Sequence, residues 1–134
     1  MDNNCAFYEI REIENFRQLF EQSAALFPGR PAFRLKGENG SFIDITFPSL
    51  LKTVYSLSRA MVDLGLSGKK IAVIGKNSFN WCCTYLAVTF GVGVIVPIDK
   101  ELPPDEIANI INISGTCAIF FDDTEEEKLA AAMG

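Results

Sequence analysis

The chain has 134 residues, 49% of them hydrophobic and 22% charged, which fits one folded domain and excludes both a disordered chain and two full domains. Seventeen acidic residues against 12 basic ones give a net charge of −5, arguing against nucleic acid or an anionic membrane as the main partner, since both require a basic face. Histidine is absent, so His-based acid–base catalysis, Ser–His triads and His-ligated zinc are excluded.

The first stretch, MDNNCAFYEIREIENF, is charged and lacks the apolar core of a signal peptide. No run approaches the ~20 apolar residues that a membrane helix needs. A helix is predicted over Asn15–Phe27, capped by Asn15, with Phe16, Leu19, Phe20, Ser23 and Phe27 at helical spacing. Pro28-Gly29 ends it. Ala32–Leu35 and Phe42–Phe47 read as strands joined by GENGS, whose Asn39-Gly40 is a hairpin signal. A second helix follows, with Phe47, Leu50, Val54, Leu57, Met61 and Leu64 lining one face. Thr46 caps it, Pro48 suits its first turn, and Gly65 supplies a left-handed stop.

The remainder alternates. Strands Ile71–Ile74, Val94–Ile98 and Cys117–Phe121 enclose helices over Ser78–Phe90 and Pro104–Ile113. This is a βαβαβ pattern, which implies parallel pairing with right-handed crossovers. The near-continuous apolar strands imply cover on both faces of the sheet. Thr124-Glu125-Glu126-Glu127 matches a capping box for a last helix through Ala132. The Ser78–Phe90 helix is apolar around most of its circumference, through Phe79, Trp81, Cys82, Cys83, Tyr85, Leu86, Val88 and Phe90. A chain this short leaves little material to cover it, so the expectation is self-association, a homo-oligomer, or membership of something larger.

The possible sites are sparse. Gly91-Val92-Gly93 follows a helix and precedes a strand, the reverse of a phosphate loop, and reads as a turn. Gly75-Lys76-Asn77-Ser78 has the right strand-to-helix context, but one glycine cannot build an amide nest; Lys76 there either meets an anion or is a solvated lysine beside an Asn or Ser cap. Ser114-Gly115-Thr116 is a helix stop. Asp122, Asp123 and Glu125–Glu127 either bind a divalent cation or, more simply, complement a helix dipole. Trp81 lines a pocket or packs in the core. Cys5, Cys82, Cys83 and Cys117 form no C-x-x-C pair and read as small apolar residues in or near the core; reduced thiols point to the cytoplasm. No nucleophile with a positioned base emerges, so no residue is assigned to catalysis, cofactor binding or metal ligation.

The order of pieces is more specific than any single motif. NFRQLFEQSAALFPGRPAF, an ITF strand end, a helix ending in LGL, GKKIAVIGKNSFNWCCTYLAV, GVGVIVPIDKELPPDEIANIINISG and CAIFFDD together resemble the N-terminal region of AMP-forming acyl-CoA synthetases, from about Asn15 to Asp123. PIDKELPPDEI is most similar to bacterial long-chain fatty-acid–CoA ligases. Pro48-Ser49 and Lys100-Glu101 depart from the common pattern of that subgroup. The resemblance implies an α/β fold: an N-terminal helix and β-hairpin, then a βαβαβ parallel layer, with residues 1–134 forming a single, incomplete N-terminal subdomain. It also implies that the full-length family uses ATP, magnesium and coenzyme A to activate a fatty acid as acyl-adenylate and pass it to the thiol. The family's phosphate loop, adenine- and magnesium-binding core and catalytic lysine lie downstream of the matched region. The chain alone is therefore expected to hold no cofactor and to be inactive, its main partner being the rest of a synthetase chain. A stand-alone interaction or ligand-binding module that keeps the fold is the alternative. Aryl, short-chain or amino acids are alternative substrates.

Overall fold

The computed structural model describes residues 10–37 and 39–134; the reading of Cys5 falls outside them. Helix α1 spans Phe16–Leu26, and its first turn is tied by Asn15, whose side chain accepts the Gln18 N–H at 2.9 Å. Strands β1 (Pro31–Lys36) and β2 (Phe42–Thr46) form an antiparallel hairpin. Its turn uses Gly40 at φ +75°, the left-handed value that the Asn-Gly pair anticipates. Arg34 and Asp44 face each other across the hairpin in a bidentate pair at 2.6 and 2.8 Å.

Helix α2 (Phe47–Asp63) is capped by Thr46 and carries Pro48 in its first turn. Leu50, Val54 and Met61 of its apolar face are completely buried. Leu64, read from spacing as part of that face, is 73% exposed. The helix stops at Asp63, so Leu64 turns outward with the chain before Gly65 takes its positive φ.

Three parallel strands follow, β3 (Lys70–Ile74), β4 (Val94–Ile98) and β5 (Ala118–Phe121), in the spatial order β4-β3-β5. Side chains alternate between faces along each strand. Ile71, Ile95, Ala118 and Phe120 meet α2 and helix α3 (Phe79–Ala87) on one face. Ala72, Ile74, Val96, Ile98 and Ile119 meet Ile107 of helix α4 (Pro104–Ser114) and Leu129 of helix α5 (Glu126–Met133) on the other. Central β3 is buried from Ile71 to Ile74, whereas β4 and β5 are mostly half-buried. Complete cover on both faces, inferred for all three strands, is reached only at the middle one.

Two local expectations change. The helix predicted to run to Phe90 ends at Ala87 and opens into a wide turn over Val88–Val92, closed by Gly93 N–H donating to Val88 O at 3.2 Å. Gly91, at φ +118°, allows this widening. The capping box at Thr124 does not form. Asp123–Glu125 makes a tight turn instead, with Glu125 N–H on Asp122 O at 2.9 Å, and α5 begins one residue later.

The apolar α3 helix is also better covered than its composition suggests. Among its residues only Asn80 is exposed. The hairpin and α1 shield the flank away from the sheet. Phe33 meets Phe79 edge-on with centroids 5.3 Å apart, and Phe16 meets Tyr85 at 6.5 Å. Self-association through a naked α3 face therefore loses its motive.

Candidate functional site

Open parallel α/β sheets present ligand crevices at the carboxyl ends of their strands. Here those ends are Ile74, Ile98 and Phe121, and the loop Gly75–Ser78 rises from the first of them into α3. Ser78 Oγ accepts the Trp81 N–H at 3.1 Å and starts that helix. Asp122, one residue beyond β5, reaches across and accepts the Lys76 N–H at 2.9 Å. A side chain at Gly75, already at φ +150°, would lie 2.7 Å from the same carboxylate. Gly75 and Asp122 thus fix the loop jointly, one by absence of bulk and one by an acceptor.

Trp81 is the wall between two hollows at this edge. On its β4 side a cavity of about 330 Å³ is lined by Gly75, Asn77, Pro97, Ile98, Asp99 and Lys100. On its β5 side one of about 200 Å³ is lined by Val73, Asn80, Thr84, Phe120, Phe121 and Asp122. The indole stacks on Tyr85 at 5.5 Å and 19° and is half-buried. It is therefore neither a pure core residue nor a free platform.

Most charged groups around this edge are committed to groups of the same chain; the exposed Lys76 ammonium has no ion pair among the described residues. Lys100 pairs with Glu101, which raises the lysine pKa and lowers that of the carboxylate. Asp99 Oδ1 accepts the Glu101 N–H at 2.9 Å. Lys128 donates to Lys100 O and pairs with the buried Glu125 at 3.3 Å, tying α5 to the β4–α4 loop. Asp123 Oδ1 accepts the Thr124 N–H at 3.0 Å. Of the acids read as a possible cation site, Asp122, Asp123 and Glu125 are thus spread over separate tasks, and among the described residues no three His, Cys, Asp or Glu side chains are grouped to hold a metal.

The glycine pairs resolve as scaffold. Gly93 is packed so tightly that an added Cβ would lie 2.2 Å from Lys69 O. Gly115, at φ +69°, is the left-handed stop of α4. Neither offers amides to a phosphate. Burial pushes the Cys83 thiol up to about 11, with Cys82 adding to it, and burial also raises Cys82. Both stay protonated at neutral pH and are poor nucleophiles. Cys117 is exposed rather than near the core, with Sγ 3.5 Å from Lys70 O. Among the described residues, ATP and magnesium therefore find no fitting set. A phosphate cradle needs successive inward amides, and a magnesium site needs free carboxylates.

Sequence reasoning named Asp122 as a possible cation ligand or dipole partner and missed its role as the brace of the Gly75–Ser78 loop. Its signal was positional: the pairing of Ile74 with Phe121 puts the first acid after β5 beside the first glycine after β3. That pairing is a tertiary fact.

The family described as AMP-binding enzyme matches residues 20–134 of this chain. Tyrocidine synthase 1 of Brevibacillus parabrevis is 31% identical over 104 residues, which cover 77% of this chain and 9% of that protein. The inhibitor-bound N-terminal domain of FACL13 from Mycobacterium tuberculosis superposes with a TM-score of 0.79 at 20% identity, covering 89% of this chain and 29% of that one. A fatty acyl CoA synthetase of the same organism gives 0.75 at 21%, covering 87% and 23%. The chain thus spans less than a third of these relatives' lengths.

Proposed function

The chain belongs to the AMP-binding enzyme family, and on that premise we propose that it is the N-terminal subdomain of an AMP-forming fatty-acid–CoA ligase of the long-chain type. In such a ligase a carboxylate attacks the α-phosphate of ATP, giving acyl-adenylate and pyrophosphate; the coenzyme A thiolate then displaces AMP. Residues 1–134 serve this chemistry as scaffold in a cytoplasmic enzyme. The observation that carries the reading is the conjunction of a family match over residues 20–134 with a strand-end edge where Lys100, Glu101, Asp99 and Asp122 are each engaged by groups of the same chain. A fold of the adenylate-forming kind whose strand-end carboxylates are occupied in bracing loops contributes a wall rather than a centre.

A second reading keeps the family and changes the acid. The likeness to tyrocidine synthase 1 at 31% identity favours an amino acid as the carboxylate. ATP–pyrophosphate exchange tests both. The purified chain is expected to give none with any fatty acid or amino acid, and turnover by it would overturn the scaffold role. The product of an extended reading frame should contain a Ser/Thr/Gly-rich loop followed by Lys-Gly. Exchange by that product with long-chain fatty acids supports the first reading, and exchange with amino acids alone supports the second.

A further inference from the structure

A further hollow opens toward the amino ends of the strands, where α1, α2 and the wide turn Val88–Val92 meet. It measures about 360 Å³, within the range of small-molecule sites, and Arg17, Tyr55, Arg59, Val62, Phe90 and Gly91 are among its walls. Turns of this widened kind recur at functional positions of helices. An added Cβ at Gly91 would lie 3.1 Å from Arg17 Nη2, so the guanidinium rests over the bare glycine. Arg17 forms no ion pair among the described residues. Its charge reaches Tyr55, whose pKa is pushed up to about 12 by burial and the Glu21 bond against the opposing effect of Arg17. The two acids nearby are engaged. Asp63 takes Arg59 Nε on both oxygens, at 3.0 and 3.1 Å, and Glu21 accepts the Tyr55 hydroxyl. Arg59 thereby keeps its Nη groups for another acceptor. The apolar part of the wall is only partly covered. Val62 is 45% and Tyr55 40% exposed, and Tyr55 meets the Phe90 ring edge-on with centroids 6.0 Å apart.

We infer that this hollow binds a phosphate monoester of an aromatic alcohol, its phosphate held by the guanidinium groups of Arg17 and Arg59. The ligand class follows from the donors. One guanidinium fork already matches the two oxygens of a carboxylate, whereas forks from two different helices match the three oxygens of a phosphate. Asp63 and Glu21 are bonded to Arg59 and Tyr55 and do not offer the free carboxylates that magnesium needs. That separates a monoester from a metal-bound polyphosphate. The aromatic body rests on Val62, Tyr55 and Phe90, where a ring gains both apolar area and edge-to-face contact. The site uses no group of the strand-end loop Gly75–Ser78 and depends on no particular acid being the one activated.

The test titrates the chain with phenyl phosphate and follows its amide NMR signals. Saturable shifts are expected at Gly91, Val92 and the residues around Arg17 and Arg59, with Gly75–Ser78 unmoved. Inorganic phosphate, which lacks the ring, and benzoate, which lacks the third oxygen, should each bind about tenfold more weakly or worse. Arg17→Gln should weaken phenyl phosphate by about tenfold or more, since it removes charge-assisted bonds at the mouth of the site. Arg17→Lys, which keeps the charge but not the fork, should recover only part of that loss. Arg34→Gln, an arginine of the hairpin outside the hollow, should bind like the unchanged chain. Both Arg17 variants replace an exposed side chain, and unmoved signals along β3 report that each is folded. The inference is overturned by an absence of saturable shifts, by shifts centred on Gly75–Ser78, or by equal binding to Arg17→Gln. It is overturned as well if benzoate or inorganic phosphate binds as tightly as phenyl phosphate, or if Arg34→Gln loses as much as Arg17→Gln, the mark of diffuse charge rather than a site.

Discussion

Gly93→Ala isolates one contact on which the parallel sheet depends. Gly93 lies in extended backbone at φ −171°, which any residue adopts, so conformational strain is not the obstacle. The obstacle is space. A Cβ there would meet Lys69 O at 2.2 Å, with the Lys69 carbonyl carbon and nitrogen at 3.2 Å, more than an ångström inside the ordinary contact of about 3.5 Å. The clashing atom is backbone and cannot rotate away. It also accepts the Val94 N–H at 2.9 Å, the bond that opens the β3–β4 ladder. Forced overpacking costs about 3 kcal/mol at its upper range, while Gly→Ala returns up to about 1 kcal/mol by restricting the unfolded chain. The net expectation is a loss of about 2 kcal/mol, or about 8 °C in Tm for a domain of this size. Urea unfolding followed by fluorescence of Trp81, the single tryptophan, measures it. Gly29→Ala, with nothing within 4 Å of its added carbon, should stay within about 0.5 kcal/mol. A Gly93→Ala midpoint that matches Gly29→Ala would refute the reasoning.

Asp122→Ala should cost about 1–2 kcal/mol by leaving the Lys76 N–H without its charged acceptor, and Asp122→Asn should recover part of that; equal urea midpoints for the two would contradict the brace. Leu129→Ala, at a side chain 1% exposed, should cost about 2–5 kcal/mol and raise amide exchange along α5 first. Ser78→Ala should cost about 1 kcal/mol at the α3 cap, whereas Thr124→Ala, whose capping box does not form, should be near neutral in thermal melts. In a Cys5→Ser background, Cys117 should react with a thiol reagent at pH 8 well before Cys82 and Cys83, whose folded pKa values are raised by burial. Raised acid pKa values mean that the folded state binds more protons than the unfolded one between about pH 8.5 and about 11, the value at Cys83. Stability is therefore full below that window and falls as pH rises through it. A flat profile for the native chain relative to Cys83→Ser would contradict the burial argument.

The hairpin, the two amphipathic helices and the βαβαβ series were legible because each is written in local chemistry. Asn39-Gly40 turns, Asn15 and Thr46 cap, and Leu50, Val54 and Met61 repeat at helical spacing. What was not legible depended on distant partners. The widened turn at Val88–Val92 follows from Gly93 having to pass the Lys69 carbonyl, a contact between residues 24 positions apart. Thr124 lost its cap role because Asp122 O was placed to take the Glu125 N–H. The position of Trp81, between two hollows rather than in the core, depends on the strand order, which periodicity does not give.

The same distinction bears on why a regular α/β unit carries so little chemistry. Catalysis needs polar groups held in place yet left unsatisfied until substrate arrives. At the strand ends of this sheet, Asp122, Asp99, Glu101, Lys100 and Lys128 are all engaged by groups of the same chain. Their partners are loop amides, loop carbonyls and each other, so what they fix is the placement of Gly75–Ser78 and of the β4–α4 loop.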